Sequence, residues 1–447
     1  MRRPLAGIAL LCGALGALGV VAACAATGVQ DTAQETPVDP GDGGSIVLGD
    51  AAHPRDAADE GSGEPPVCSP AGWCQTELPA SDIHLVDVWP VGSRAFAVAT
   101  STVHGIKFLE WDAAGGWKFI DKKMGFSRLM SPVNVWAPDE NEVFFVISDT
   151  SGFSVGRPIG ALVLRGTRPT PPETTWSWTR SQIDCPDLTH SRAQAVLWGA
   201  SRDEVYLAVC ESVYRLNRSA PLDSGVDGGH AGVDGGAAVS DGWEVEYAVS
   251  DPNFQQWTAV TGTGTGDVWF VGIQAAGADQ CVLLIRKTSE GYTTVVDGVP
   301  TAGERCVAKP GVAMIPGQFY HAHVPVKDRL VGVHALGFGS DVDNDIVQVA
   351  VVSGEVQIKR ASPASTMEVT LRSVWGTSPD DLWVIADRGA SSILRATSVW
   401  DGAGKFEFST LAINGAPNLA PLSRIRGTSN QNLWAVGRDR AYFKSTP

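Results

Sequence analysis

Short apolar runs alternate with polar turns from about residue 68 to the end of the chain. Residues 373–385 (SVWGTSPDDLWVI) show the pattern: an apolar run, a turn rich in Gly, Pro and Asp, and an apolar–aromatic–apolar run. The runs are five to seven residues long and rich in Val, Ile, Trp, Phe and Thr. This length and composition predict β-strands joined by tight turns, not helices.

The pattern recurs seven times, and one anchor residue marks each copy. A second aromatic or apolar residue follows the anchor by eight positions, or by seven in the first copy. The anchors lie 47 to 63 residues apart, about 56 on average, and are Trp89, Trp136, Trp198, Thr261, His323, Trp375 and Arg426. A repeated strand unit of this size predicts a β-propeller.

The two ends of the repeat region complement each other. Each complete unit holds four predicted strands, but the seventh ends after three, and residues 71–77 (AGWCQTE) match the missing fourth strand. We therefore predict an all-β, seven-bladed propeller of four-stranded blades over residues 68–447, closed by an N-terminal strand that completes the last blade. Because the fourth and fifth units match weakly, six and eight blades stay open as alternatives.

The unit VWGTSPDDLWVIAD resembles the VWGTSPDDVWAVG repeat of exported β-propeller proteins from myxobacteria and related Gram-negative bacteria. The resemblance extends over nearly all of residues 71–447 and includes lipoproteins of that group. It implies a propeller fold, and the group carries no agreed activity.

The N-terminus has the features of a bacterial lipoprotein signal. Arg2 and Arg3 precede an uncharged run over residues 5–21, and small residues lead to Cys24. We predict that residues 1–23 are removed and that Cys24 is lipidated. Residues 24–67 carry nine acids, one Arg and no aromatic residue, which predicts a disordered acidic tether. The expected location is the outer membrane, facing the periplasm or the cell surface.

Charge and composition argue against some classes of binding partner and against a membrane-spanning helix. The 447-residue chain has a net charge of −15, which argues against nucleic acid and against electrostatic docking on anionic lipid. No later segment has the roughly 18 unbroken apolar residues of a membrane helix, so membrane attachment is expected through the lipid alone. The 50 glycines fit many turns, together with a flexible Gly/Asp-rich insert at residues 219–241.

Six cysteines remain after the signal and the lipidated position. An even number in an exported chain predicts disulfides, with 15 conceivable pairings. We favour pairing of sequence neighbours, because each pair then falls within one or two adjacent strands: Cys68 with Cys74, Cys185 with Cys210, and Cys281 with Cys306.

Seven of the fifteen tryptophans occupy two recurring positions of the repeat. Recurrence in successive blades predicts packing between blades rather than ligand binding; these residues are Trp89, Trp136, Trp198, Trp269, Trp375, Trp383 and Trp434. Trp111, Trp257 and Trp400 lie outside these positions and are the better candidates for a surface role.

Two clusters have residue types that metals prefer. His321 and His323 share one face of a predicted strand, and His334 follows on the next, so a metal site is a weak hypothesis. Asp341, Asp343 and Asp345 alternate as Ca²⁺ ligands do, but the Gly and distal Glu of an EF-hand loop are missing. A solvated turn is the favoured interpretation of these acids, and we predict no cofactor, with calcium as the alternative.

Acids recur at the turns of several units, as in the pair Asp380 and Asp381, and this repetition favours a role in the loops over catalysis. We predict a lipid-anchored binding or scaffold protein of the cell envelope, which recognises an unidentified protein or polysaccharide through its propeller loops. The alternative is a carbohydrate-active hydrolase or lyase whose active site lies in the propeller channel.

Overall fold

The computed structural model describes residues 67–121, 124, 126, 130–149, 160–185, 194–218, 242–303, 306–336, 343–363, 369–387, 391–402, 404–416 and 418–445. The predicted signal peptide, Cys24, the tether up to residue 66, the insert at 219–241 and Asp341 lie outside these residues.

The described strands form seven four-stranded antiparallel sheets, which we call blades 1 to 7. Blades 1 to 3 consist of β2 (Ile83–Val91), β3 (Arg94–Ser101), β4 (Gly105–Asp112) and β5 (Gly116–Phe119); β6 (Met130–Asp139), β7 (Glu142–Asp149), β8 (Gly160–Thr167) and β9 (Ser177–Asp184); and β10 (Val196–Ser201), β11 (Glu204–Val209), β12 (Ser212–Leu216) and β13 (Trp243–Ala248).

Blades 4 to 6 follow the same order along the chain. They consist of β14 (Phe254–Gly264), β15 (Asp267–Ala276), β16 (Asp279–Thr288) and β17 (Gly291–Val296); β20 (Gln318–Val326), β21 (Arg329–Leu336), β22 (Asp343–Val352) and β23 (Glu355–Ala361); and β24 (Thr370–Ser378), β25 (Asp381–Asp387), β26 (Ser391–Thr397) and β27 (Lys405–Ser409). Two short strands, β18 (Gly298–Val299) and β19 (Val307–Ala308), pair in the connection between blades 4 and 5.

Blade 7 joins the two ends of the described chain. It contains β28 (Leu422–Ser429), β29 (Asn432–Gly437) and β30 (Arg440–Lys444), and its fourth strand is β1 (Trp73–Thr76). Trp73 lies opposite Lys444 in the pairing of β1 with β30. The Trp73 side chain is fully buried, and its Nε1 donates a hydrogen bond of 2.9 Å to Ser409 Oγ in blade 6. The predicted closure is therefore confirmed.

The first strands of successive blades contact one another around a central channel. The contacts run through β2, β6, β10, β14, β20, β24 and β28 and return from β28 to β2. The molecule is a seven-bladed β-propeller, as predicted, which excludes the six- and eight-bladed alternatives.

The regular spacing after each anchor is the register of a β-hairpin. In every blade the anchor on the first strand lies directly opposite the residue seven or eight positions later on the second strand. The pairs are Trp89–Phe96, Trp136–Phe144, Trp198–Tyr206, Thr261–Trp269, His323–Val331, Trp375–Trp383 and Arg426–Trp434. Even the two weakly matching units, anchored at Thr261 and His323, keep this register.

Each blade exposes its loops at two ends. Because the strands are antiparallel, the turns between first and second strands and between third and fourth strands lie at one end, the turn face. The turns between second and third strands and the connections from blade to blade lie at the other end, the connection face. The apolar core lies between adjacent blades and is formed by alternating residues of their strands.

The predicted disulfides are all present, in the neighbour pairing. Cys68 bonds to Cys74 in β1, Cys185 to Cys210, and Cys281 to Cys306. The last two fasten connections on the connection face. Within the described residues, no helix is long and apolar enough to cross a membrane.

Candidate functional site in the central channel

Polar side chains recur on the first strands at the position two residues before each anchor, which we call the inner position. Its seven occupants are Asp87, Asn134, Val196, Ala259, His321, Ser373 and Arg424. Four of them accept a hydrogen bond from a backbone N–H of the next blade. The donors are Val135 to Asp87 (3.3 Å), Leu197 to Asn134 (3.2 Å), Val374 to His321 (3.2 Å) and Ile425 to Ser373 (3.2 Å).

These hydrogen bonds join neighbouring blades at the channel wall. Each donor is the residue immediately before the next anchor, so one geometry repeats around the ring. Val196, Ala259 and Arg424 interrupt the series because their side chains offer no acceptor. Asn134 also donates from Nδ2 to the Leu197 carbonyl at 2.5 Å, so it bonds both backbone groups of that residue.

Asp87 and two arginines close the ring between blades 7 and 1. Arg426 donates to both carboxylate oxygens of Asp87, from Nε at 2.9 Å and from an Nη at 3.3 Å. Arg424 Nε lies 3.2 Å from the same carboxylate. Asp87 is fully buried, whereas the side chains of Arg424 and Arg426 keep 20 % and 18 % of their surface exposed. The carboxylate is therefore enclosed, whereas each arginine keeps part of its side chain exposed.

Burial and these positive charges keep the channel histidines neutral. Desolvation, then the charges of Arg424 and Arg426, hold the pKa of His321 well below its usual value. Desolvation lowers the pKa of His323 to about 4, against a smaller opposing effect of its hydrogen bond to Gly376. Burial, with the neighbouring Arg426 charge, also lowers the pKa of Arg424, while Asp87 opposes that shift.

His321 and His323 each use a ring nitrogen in a separate hydrogen bond to the backbone, and they are not arranged around a common metal position. His321 uses Nδ1 to accept from Val374, and His323 Nε2 donates to the Gly376 carbonyl at 2.8 Å. His334 lies on β21, where Nδ1 bonds Asp345 at 2.7 Å and Nε2 bonds the Pro316 carbonyl at 2.6 Å. No group of three His, Cys, Asp or Glu side chains placed to hold a metal occurs among the described residues.

The acidic cluster at 341–345 differs from the expected turn. Asp343 begins β22, and Asp345 lies within that strand opposite His334. The Asp345 carboxylate pairs with His334 and with Arg360, whose Nη1 lies 3.0 Å away. Asp345 is therefore held in an ion pair of blade 5 and is not a solvated turn residue.

The anchor tryptophans pack against the residue that follows the next anchor. A β-carbon added to Gly199 would lie 2.5 Å from the Trp136 ring, and one added to Gly262 would lie 2.8 Å from Trp198. Trp89 Nε1 instead donates to the carbonyl of Ala137, the equivalent residue of blade 2, at 3.0 Å. In each Trp–Gly pair of the repeat, the Trp therefore packs against the next blade, and the Gly makes room for the anchor residue of the previous blade.

The tryptophans proposed for a surface role are not free aromatic platforms. Trp257 is fully buried, so its assignment to the surface was wrong. Trp111 packs edge-on against Trp434, with ring centroids 4.8 Å apart. Trp400 is partly exposed and donates from Nε1 to the Pro379 carbonyl at 2.7 Å. It borders a groove of about 690 Å³ between blades 5 and 6.

The acid that begins several second strands has a role that the repeat pattern did not reveal. In blade 4, Asp267 accepts from Arg286 Nε at 2.9 Å and from Trp269 Nε1 at 3.0 Å, and Arg286 lies over the Trp269 ring. Glu142 in blade 2 and Asp381 in blade 6 pair with third-strand arginines in the same way. These acids therefore form ion pairs that stabilise the blades. The sequence signal for this role is an acid followed two positions later by an aromatic residue.

The comparisons with known proteins agree on the fold alone. No family model and no curated protein matches the chain. A solved structure titled "YCF48 from Cyanidioschyzon merolae" is 12 % identical with a TM-score of 0.50, and the match covers 84 % of this chain and 99 % of that one. "YCF48 bound to D1 peptide" matches at 13 % identity and a TM-score of 0.48, over 86 % and 99 %. A polysaccharide lyase, ulvan lyase of family PL25, matches at 8 % and 0.48, over 84 % and 95 %.

Proposed function

We propose that this protein is a non-catalytic binding or scaffold protein of the bacterial cell envelope, which recognises a protein or a glycan through its connection face. The observation that carries this proposal is the position of the exposed apolar side chains. Four of the nine exposed large apolar residues in the described part of the chain lie in turns or connections of the connection face: Val103, Val299, Val307 and Leu419. Val352 lies on the turn face. These four side chains come from several blades of one face, and exposed apolar surface is what a binding partner would cover.

Chemistry in the channel is less well supported. Hydrolysis of a glycoside ordinarily uses two carboxyl groups on either side of the bond. Among the fourteen inner and anchor positions Asp87 is the sole acid, and two arginines bind it. A hydrolase or lyase in the channel would have to draw its acids from other positions.

Attachment to the envelope rests on the N-terminal sequence. Arg2, Arg3, the uncharged run and Cys24 fit lipidation, and the six disulfide-bonded cysteines fit an oxidising compartment. The variant Cys24→Ala is expected to move the protein from the membrane to the soluble fraction. A variant that stays in the membrane without a lipid would contradict the anchor.

Site-specific photo-crosslinking in the native envelope tests the binding face. A photoreactive residue at Leu419, which is 71 % exposed, is expected to give discrete adducts. The matched control is Val352 on the turn face, 40 % exposed, where no discrete adduct is expected. Adducts at Val352 and none at Leu419 or Val103 would overturn the assignment, and mass spectrometry of the adducts identifies the partner as protein or glycan.

A further inference from the structure

The inner and anchor positions of the first strands carry one positive charge in excess. The charged residues at the inner and anchor positions are Asp87, Arg424 and Arg426, which leaves one positive charge in excess. His321 and His323 add none at neutral pH, because both are held uncharged. This excess contrasts with the net charge of −15 for the whole chain.

Arg424 is the residue with unused hydrogen-bonding capacity. Arg426 already donates to both oxygens of Asp87, and it lies over the Trp89 ring with 5.1 Å from its guanidinium carbon to the ring centre. Arg424 Nε is buried and faces Asp87 at 3.2 Å without a hydrogen bond, so an anion would be met by the two Nη groups, which bond no group in the described part of the chain. The rest of this guanidinium belongs to a side chain that is one-fifth exposed.

We propose that Arg424, supported by Arg426, forms a binding site in the central channel for an oxyanion, such as a carboxylate or sulfate group. A guanidinium presents several N–H donors in one plane, which matches the two oxygens of such a group. Because protein walls surround the channel, an anion there is screened less than at an open surface. A monovalent anion would balance the one excess positive charge of the inner and anchor positions.

The immediate surroundings leave these donors available. The neighbouring inner-position side chains, Ser373 and His321, accept hydrogen bonds from Ile425 and Val374 of the next blades. Asp87 is the carboxylate that competes for Arg424, and Arg426 occupies both of its oxygens. The proposed site would bind a single oxyanion group in the channel. It is separate from the proposed binding through the connection face.

Isothermal titration calorimetry on the disulfide-bonded protein tests the site. The probes are sulfate and galacturonate, with galactose as the uncharged counterpart of galacturonate, all at constant ionic strength. Arg424→Gln is expected to weaken anion binding about tenfold, because it removes a charge-assisted hydrogen-bond donor. The control is Arg372→Gln: this arginine is also on a first strand, is 52 % exposed and lies 3.7 Å from Asp387, and its loss should leave the affinity unchanged.

Asp87→Asn provides the opposite test. Removing this carboxylate raises the excess positive charge, so oxyanions are expected to bind at least threefold more tightly, provided that circular dichroism shows a folded variant. Binding of galacturonate alone would indicate a sugar acid, and binding of sulfate alone a free inorganic anion. Equal affinity of the wild type and Arg424→Gln, or no binding of either anion beyond galactose, would overturn the site. Neither result affects the crosslinks at Leu419.

Discussion

The indole ring of Trp136 in blade 2 occupies the space next to the α-carbon of Gly199 in blade 3. A β-carbon on Gly199 would lie 2.5 Å from two ring carbons, closer than real β-carbons approach. β-Carbons on Gly262 and Gly427 would lie 2.8 Å from the Trp198 ring and 3.1 Å from the Trp375 ring, although atoms of their own blades lie closer still. The Trp of one blade therefore requires a small residue in the next, which explains why the repeat pairs these two residue types.

Substitution Gly199→Ala tests this contact. The added methyl group has to displace either the Trp136 ring or the β10 backbone, and overpacking of this kind costs about 1–3 kcal/mol in the free energy of unfolding. Guanidinium denaturation measures the loss. Gly115→Ala serves as control, because Gly115 is exposed and its nearest neighbour is the Asp112 side chain; a loss as large as that of Gly199→Ala would contradict the packing argument.

Glu142 is expected to be the most sensitive of the recurring acids. Its fully buried carboxylate is paired with Arg165 of its own blade at 2.5 Å and with Arg202 and Arg218 of blade 3 at 2.8 and 2.9 Å. Glu142→Gln removes the charge and leaves the arginines without their partner, which costs about 3–5 kcal/mol for a fully buried pair and less here, because all three arginines are partly exposed. Thermal and chemical denaturation measure it. The exposed Glu173→Gln should change stability by less than about 0.5 kcal/mol.

The channel histidines predict sensitivity to acid. The folded pKa of His323 is about 4, below its usual value of 6.5, and that of His321 is also lowered. Between pH 6.5 and 4 the unfolded chain binds protons that the folded channel excludes, so the free energy of unfolding falls as the pH falls. The loss for His323 is up to about 3 kcal/mol, at 1.36 kcal/mol for each pH unit.

Two substitutions separate this effect from general acid denaturation. His321→Asn keeps an acceptor for the Val374 N–H, as Asn134 does for Leu197, and His323→Gln keeps a donor for the Gly376 carbonyl. The double variant should lose less stability between pH 6.5 and 4 than the wild type does. The exposed His104→Asn should leave the slope unchanged. Equal slopes for all three proteins would refute the histidine contribution.

Ring closure predicts a sharp dependence on β1. A chain that starts at residue 67 keeps Trp73, the Cys68–Cys74 bond and the pairing of Trp73 with Lys444. A chain that starts at residue 79 exposes the edge of β30 and opens the space that Trp73 fills. Loss of the Trp73 side chain alone costs about 3–5 kcal/mol. We expect the longer chain to be monomeric and the shorter one to aggregate, and size-exclusion chromatography distinguishes them.

Much of the ring could be predicted because strands and hairpins are specified by residues that lie close together in the sequence. The alternation of apolar and polar residues specifies strand faces, and the seven- or eight-residue spacing after each anchor is the register of a hairpin that neighbouring residues can form. The missing fourth strand of blade 7 and the match at residues 71–77 indicated the closure. The disulfides followed from the same neighbour relations. Trp257 was misassigned because it lies outside the repeated positions, although it is fully buried in blade 4.

The sequence by itself determined the strands, their order and which tryptophans recur, and it favoured seven blades over six or eight. Only the tertiary structure decided which polar groups meet, because strand periodicity specifies the face on which a side chain lies and not its partner in the next blade. Asp87 and Arg426 are 339 residues apart and meet only when the ring closes. The sequence likewise predicts a turn role for the recurring acids, whereas the structure pairs them with arginines of the third strands. The charge of the channel is therefore a property of the closed ring.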